Sequence, residues 1–150
     1  MIIIYKGVIY MSKVAVVYWS GTGNTEEMAK AVLKGAKDAG ADAELFTADS
    51  FGVEQMESFD SVALGCPAMG AEELEDGEFL PMYESIKDKL SGKKVVLFGS
   101  YGWGDGEWMR NWDEEVKALG VVIAADFVIA NEAPDDGAIA ACESLGAALA

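Results

Sequence analysis

The feature that most constrains this chain is an alternation that begins at Lys13. Short runs of apolar, mostly β-branched residues take turns with longer segments whose apolar residues recur at helical spacing. KVAVVY (13–18), DAELFTA (42–48), SVALGC (61–66), KKVVLFGS (93–100) and a run from Val121 to Ala130 read as strands. KVAVVY and SVALGC are apolar without alternation, the mark of strands buried on both faces. NTEEMAKAVLKGAKDAG (24–40) places Met28, Ala29, Val32, Leu33 and Ala36 on one helical face, with acids in its first turn and Gly40 past its end. EFLPMYESIKDKLSG (78–92) tolerates Pro81 in a first helical turn. GEWMRNWDEEVKALG (106–120) sets Trp108, Trp112, Val116 and Leu119 on one stripe. A helix after Pro134 closes the chain, and a weaker one falls at Val53–Glu57. This β-α repetition predicts an α/β fold, a five-stranded parallel sheet with helices on both faces. Right-handed crossovers make it a doubly wound three-layer sandwich. The strand order 2-1-3-4-5 opens a crevice between strands 1 and 3 at their carboxyl ends.

The 150 residues, 51% of them hydrophobic, supply the core of one domain. No apolar run reaches the length of a membrane span. Eleven Lys and Arg face 26 Asp and Glu, a formal charge of −15. That balance argues against nucleic acid and anionic membranes, and favours solubility and basic protein partners. Histidine is absent, which excludes histidine-based catalysis and histidine metal sites. Cys66 and Cys142 lie outside any metal-ligand spacing and read as small buried thiols in a reducing cytoplasm.

Residues 1–10, MIIIYKGVIY, stand apart from residues 11–150. They lack a signal-peptide cleavage site, and Lys6 breaks the apolar stretch. Lys6-Gly7-Val8 can be encoded by AAAGGAGTN, which contains a ribosome-binding sequence a few bases ahead of the Met11 codon. The expectation is a translated leader from a misassigned start; the alternative is a β-prone extension added to a sheet edge. The intact mass of protein made from the native gene decides between them.

Three loops open at the carboxyl edge of the expected sheet. The first, SGTGNT (20–25), runs directly into a helix, so unpaired backbone N–H groups and the helix dipole make an anion site. Ser20, Thr22, Asn24 and Thr25 can add side-chain hydrogen bonds to phosphate oxygens, while Gly21 and Gly23 let the backbone wrap closely. No Lys or Arg is present and dinucleotide spacing is missing, which points to a terminal monophosphate held by dipoles. The same residues also make an ordinary N-cap turn. The second loop, PAMGAEELED (67–76), offers the polarizable Met69 before Gly70. The third, SYGWGDGEW (100–108), sets Tyr101 and Trp103 among glycines and serine, where an indole needs something flat to pack on. Together the loops make a slot for a planar cofactor with a phosphate tail. EELEDGE (72–78) reads equally as a solvated acidic face, and Trp108 and Trp112 as core.

YWSGTGNTE, LGCPAMGAEELED and LFGSYGWGDGEW together resemble flavodoxins, in particular the short-chain group of anaerobic bacteria. The resemblance covers residues 13–150; the first ten residues depart from it. It implies noncovalently bound FMN. On this chain Ser20, Gly21, Thr22, Gly23, Asn24 and Thr25 would cradle the phosphate. Met69 and Trp103 would flank the isoalloxazine, and the backbone from Pro67 through Ala68 to Gly70 would meet its N5 edge. Glu73 would hydrogen-bond near N3, and Ser100, Tyr101, Gly102, Trp103 and Gly104 would meet the pyrimidine edge. Asn131 is a further candidate for a ring contact.

The implied function is low-potential one-electron carriage between semiquinone and hydroquinone, standing in for ferredoxin, without enzymatic turnover of its own. Partners would be redox enzymes with basic surfaces, the ferredoxin- or flavodoxin-dependent oxidoreductases, met by a cytoplasmic monomer. The resemblance also implies a peptide flip at Gly70 on reduction, which a glycine tolerates. A rim of Glu72, Glu73, Glu75, Asp76, Asp105 and Glu107 would oppose an anionic hydroquinone. Each carboxylate about 10 Å away contributes roughly 0.4 kcal/mol at water's dielectric and about four times that at an effective value of 20. The rival readings are an FMN-dependent NAD(P)H quinone or nitro reductase, an activator of one specific enzyme, and a noncatalytic FMN-binding module. A receiver domain fails because GCP stands where it needs an Asp.

Overall fold

The structure, a computed structural model, describes residues 2–5 and 8–150, with side chains from Met11 onward. Of the expected leader, Met1, Lys6 and Gly7 lie outside the described residues. The strands β1 (Ile2–Tyr5) and β2 (Val8–Met11) pair with each other in antiparallel register, Ile2 opposite Met11. They form a ribbon separate from the main sheet rather than an added edge strand.

The main sheet is parallel and runs β4 (Asp42–Thr47), β3 (Lys13–Tyr18), β5 (Ser61–Gly65), β6 (Lys94–Tyr101), with the fifth place shared by β7 (Val122–Ile123) and β8 (Val128–Asn131). In domain order this is 2-1-3-4-5, as the alternation predicts. The expected continuous fifth strand from Val121 to Ala130 is broken. From Ile123 to Val128 the chain advances five residues while its partner advances three, Val95 to Phe98. The two surplus residues loop out at an edge, where only one neighbour's hydrogen bonds are disturbed.

Period-two alternation in β3 divides the core into two. Val14, Val16 and Tyr18 face α1 (Asn24–Asp38) and α5 (Asp136–Leu149). Ala15 and Val17 face α2 (Val53–Met56), α3 (Phe79–Ile86) and α4 (Glu107–Lys117). The expected long third helix stops at Ile86 and tightens into a 3-10 turn over Lys87–Lys89. Trp108 and Trp112 are core, each 2% exposed, and Cys66 and Cys142 are buried free thiols. Burial pushes both thiols up to about 12, so neither is a thiolate near neutral pH.

Candidate functional site

β3, β5 and β6 end at the same edge, and a cavity of about 560 Å3 lies there, inside the size range of small-molecule sites. One end is the loop between β3 and α1. It enters the helix through Gly23, whose φ of 97° is open to glycine at little cost. The Ser20 hydroxyl accepts the N–H groups of Gly23 (3.1 Å) and Glu26 (3.2 Å), which is the N-cap reading in part. Among the described residues no hydrogen bond takes the N–H of Asn24 or Thr25, so the helix end keeps free donors. Gly21, Thr22 and Asn24 line the cavity. Thr25 does not join them. It is buried, and its hydroxyl pairs with that of Ser100 (3.0 Å), tying the first turn of α1 to the end of β6.

The far wall is the loop between β5 and α3. Pro67, Ala68 and Met69 line the cavity, and the Ala68 N–H donates to the Ser100 carbonyl (3.0 Å). Met69 and Glu73 exchange two backbone hydrogen bonds of 2.8 and 2.9 Å across a tight turn in which Gly70 has φ +47°. Ser100, Tyr101 and Gly102 complete the lining from the third loop.

Other expected site residues sit differently. Trp103 is 65% exposed and, with Gly104, stands outside the cavity lining, so Met69 alone of the expected ring-flanking pair forms a wall. Glu73 is absent from the cavity lining and instead lines a separate, acidic groove with Leu74, Leu80 and Trp108. The carboxylate that crosses to the third loop is that of its neighbour Glu72, which accepts the Asp105 N–H (3.2 Å). Asn131 is held in the sheet opposite Tyr101, and the next residues, Glu132 and Ala133, reach the cavity. Glu132 has φ +59°, a strained backbone for a non-glycine residue. Trp19 also lines the cavity, and its indole N–H donates to Glu78 (3.0 Å). The sequence displays Trp19 directly before the loop, but aromatic residues at strand ends are usually core.

The expected acidic rim is thinner than six free carboxylates. Asp105 pairs with Arg110 at 3.0 Å, and that guanidinium holds its carboxyl below the usual range. Glu75 turns away into the N-terminus of α3, accepting the N–H groups of Gly77 (2.7 Å), Glu78 (2.8 Å) and Phe79 (2.8 Å). Partial burial opposes its charge, but the backbone donors outweigh this and its carboxyl is lowered. A lowered carboxyl contributes stability that is full above its unfolded value, about 4.5, and is lost as pH falls through the folded value. The stability gap between wild type and Glu75→Gln is therefore expected to shrink on going from neutral pH to about pH 3, measured by urea unfolding. A constant gap would show that the charge contributes nothing.

The donors and the cavity fit FMN. Free helix N–H groups suit a phosphate, the cavity is largely apolar beyond them, and Met69 and Trp103 are two of the four exposed large apolar side chains among the described residues. A doubly wound sheet with free helix donors and an apolar slot at its switch point has the place where folds of this class bind a phosphorylated cofactor. The flavodoxin family model matches residues 16–145. A flavodoxin of Megasphaera elsdenii is 47% identical over 137 residues, covering 91% of this chain and 98% of that one. A flavodoxin of Clostridium beijerinckii is 46% identical over 121 residues, 81% of this chain and 88% of that one. The solution structure of two-electron reduced Megasphaera elsdenii flavodoxin superposes with a TM-score of 0.83, covering 91% of this chain and 97% of that one. The chain belongs to the flavodoxin family. It is an FMN-dependent electron-transfer protein rather than an enzyme with its own substrate.

Proposed function

We propose that FMN lies along the cavity with its phosphate on the N-terminus of α1 and its ring against Met69. One observation carries this reading: a single cavity joins Gly21, Thr22 and Asn24, with the free Asn24 N–H at the start of α1, to the Met69 and Tyr101 loops. Bound FMN supplies one-electron chemistry, and the protein tunes it. Gly21, Thr22 and Asn24 hold the phosphate, with Gly23 turning the chain into the helix; the Pro67–Gly70 backbone and Met69 form the inner wall. Tyr101 and Gly102 form the floor, and Trp103 covers the outer face, which would remove its exposed indole from water. Anaerobic reductive titration of the FMN-loaded protein tests the carrier function. Two resolved one-electron steps are expected; a single two-electron step would favour a reductase.

Gly70 holds φ +47°, and no heavy atom lies within 4 Å of a Cβ placed there. Alanine at this position therefore meets no neighbour and bears only the left-handed backbone strain, about 1 kcal/mol, or about 40 mV for one electron where reduction of the cofactor requires this turn. We expect Gly70→Ala to lower the first one-electron potential by a few tens of millivolts, about the size of that strain. An unchanged potential would remove the turn from the tuning of the cofactor.

Basic side chains are kept away from the cofactor end of the molecule. Glu72, Glu73, Asp76, Glu107, Glu132 and Asp135 lie in or beside the loops at the carboxyl edge of the sheet. Lys13, Lys89, Lys93, Lys94 and Lys117 lie at the opposite ends of their strands and helices. Among the described residues Arg110 is the only basic side chain in the site loops or the helix turns that open from them, and Asp105 occupies it. Such a molecule turns its cofactor end toward a positive surface. The reading is a cytoplasmic monomer that delivers electrons to redox enzymes with Lys and Arg around their own cofactors. Electron-transfer rates to such a partner are expected to fall steeply with added salt in stopped-flow experiments. Flat rates would refute the steering. Among the described residues, no helix is long and apolar enough to cross a membrane.

A further inference from the structure

The wall that carries Met69 hangs from a loop that leaves β5 at Cys66 and returns at α3, and one residue fastens its base. The Glu75 N–H donates to the Cys66 sulfur (3.3 Å), closing residues 66–75 into a ring whose tip is the Met69–Glu73 turn. The Glu75 carboxylate accepts three N–H groups at the start of α3, and its carbonyl accepts the Leu80 N–H (2.9 Å). Only Leu74, half-buried against the core, separates Glu75 from the turn. No neighbour duplicates the function. Glu78, the residue at the N-cap of α3, makes no side-chain cap; its carboxylate is engaged by the Trp19 indole. Asp76 is exposed and makes no such bond among the described residues.

We propose that Glu75 is the positioning residue for the Met69 wall. By joining Cys66, the last residue before that wall, to the helix after it, Glu75 fixes where the turn sits over the slot. It touches neither the slot nor the cofactor. The proposal rests on the placement of FMN given above, and its test separates the two.

The full-length protein is compared with Glu75→Gln, Glu75→Ala and, as a control, Asp60→Ala. Asp60 accepts the Lys13 N–H (2.8 Å) at the opposite end of the sheet. Amide exchange of Met69 and Glu73 is read in the apoprotein, with the FMN dissociation constant and the melting temperature alongside. Glu75→Ala is expected to speed exchange at both amides and to weaken FMN by about tenfold each, the size of one lost cap. Glu75→Gln, which keeps an acceptor oxygen, falls between it and wild type. Asp60→Ala lowers the melting temperature without moving either of the other readouts. If the Glu75 variants also lose only melting temperature, Glu75 is a helix cap and the proposal fails. If wild type takes up no FMN, the placement of FMN fails instead, and the exchange rates still judge Glu75.

Discussion

Alanine at Gly35 or Gly146 is expected to cost the folded protein about 2–3 kcal/mol, although both glycines sit inside helices. On an exposed helix face the same change would add about 1 kcal/mol of stability through helix propensity. Packing reverses the sign. A Cβ on Gly35 would enter the carbonyl group of Glu143, and one on Gly146 would meet the Val32 carbonyl and the Ala36 nitrogen. These are backbone atoms of the facing helix, so no side chain can rotate aside and α1 and α5 must separate. Val32, Ala36, Cys142 and Leu145, all buried at this crossing, lose close contact together. Thermal unfolding should show a drop of about 5–10 °C for either variant. The double variant should cost less than the sum, because helices already parted meet no second collision. Stabilisation by either alanine would mean that the helices do not approach this closely.

That crossing shows which parts of the fold are legible in a sequence. The alternation of KVAVVY with NTEEMAKAVLKGAKDAG carries both periods, so strand, helix and buried faces follow from it, as they do for Trp108, Trp112 and Val116 on α4. The glycines of α1 and α5 appear only as weak helix formers until the partner helix is in place. The fifth strand misleads because VVIAADFVIAN is apolar almost throughout, and the two-residue surplus exists only relative to β6. In the site, local chemistry is legible: Gly23 at a left-handed entry, free donors after it, and Met69 at a wall. Bonds that join distant segments leave no periodic trace. Trp19 to Glu78 spans 59 residues and Glu72 to Asp105 spans 33. Within EELEDGE nothing in spacing alone separates the carboxylate that caps α3 from the one that crosses to the third loop.

Thr22→Asp is expected to weaken FMN by about a thousandfold while leaving the apoprotein as stable as before or more so. The phosphate loop has no Lys or Arg, so neutral donors at the start of α1 must supply the whole attraction. A carboxylate at Thr22, which lines the cavity beside the free Asn24 N–H, acts on that attraction twice. It competes for the same donors from within the chain, and it repels the phosphate. At about 5 Å and an effective dielectric of 20 the repulsion alone is about 3 kcal/mol per unit charge, more than a hundredfold in affinity. The apoprotein gains, because a negative charge near a helix N-terminus contributes about 0.3–1 kcal/mol. Opposite movements of affinity and stability separate this effect from misfolding, which lowers both. Riboflavin, the same ring without phosphate, should bind Thr22→Asp and wild type alike, and the neutral Thr22→Asn should keep FMN within about tenfold. Equal losses for riboflavin and FMN would place the damage in the ring slot. An undiminished FMN affinity would leave the loop as a helix cap held by Ser20 and move the phosphate elsewhere.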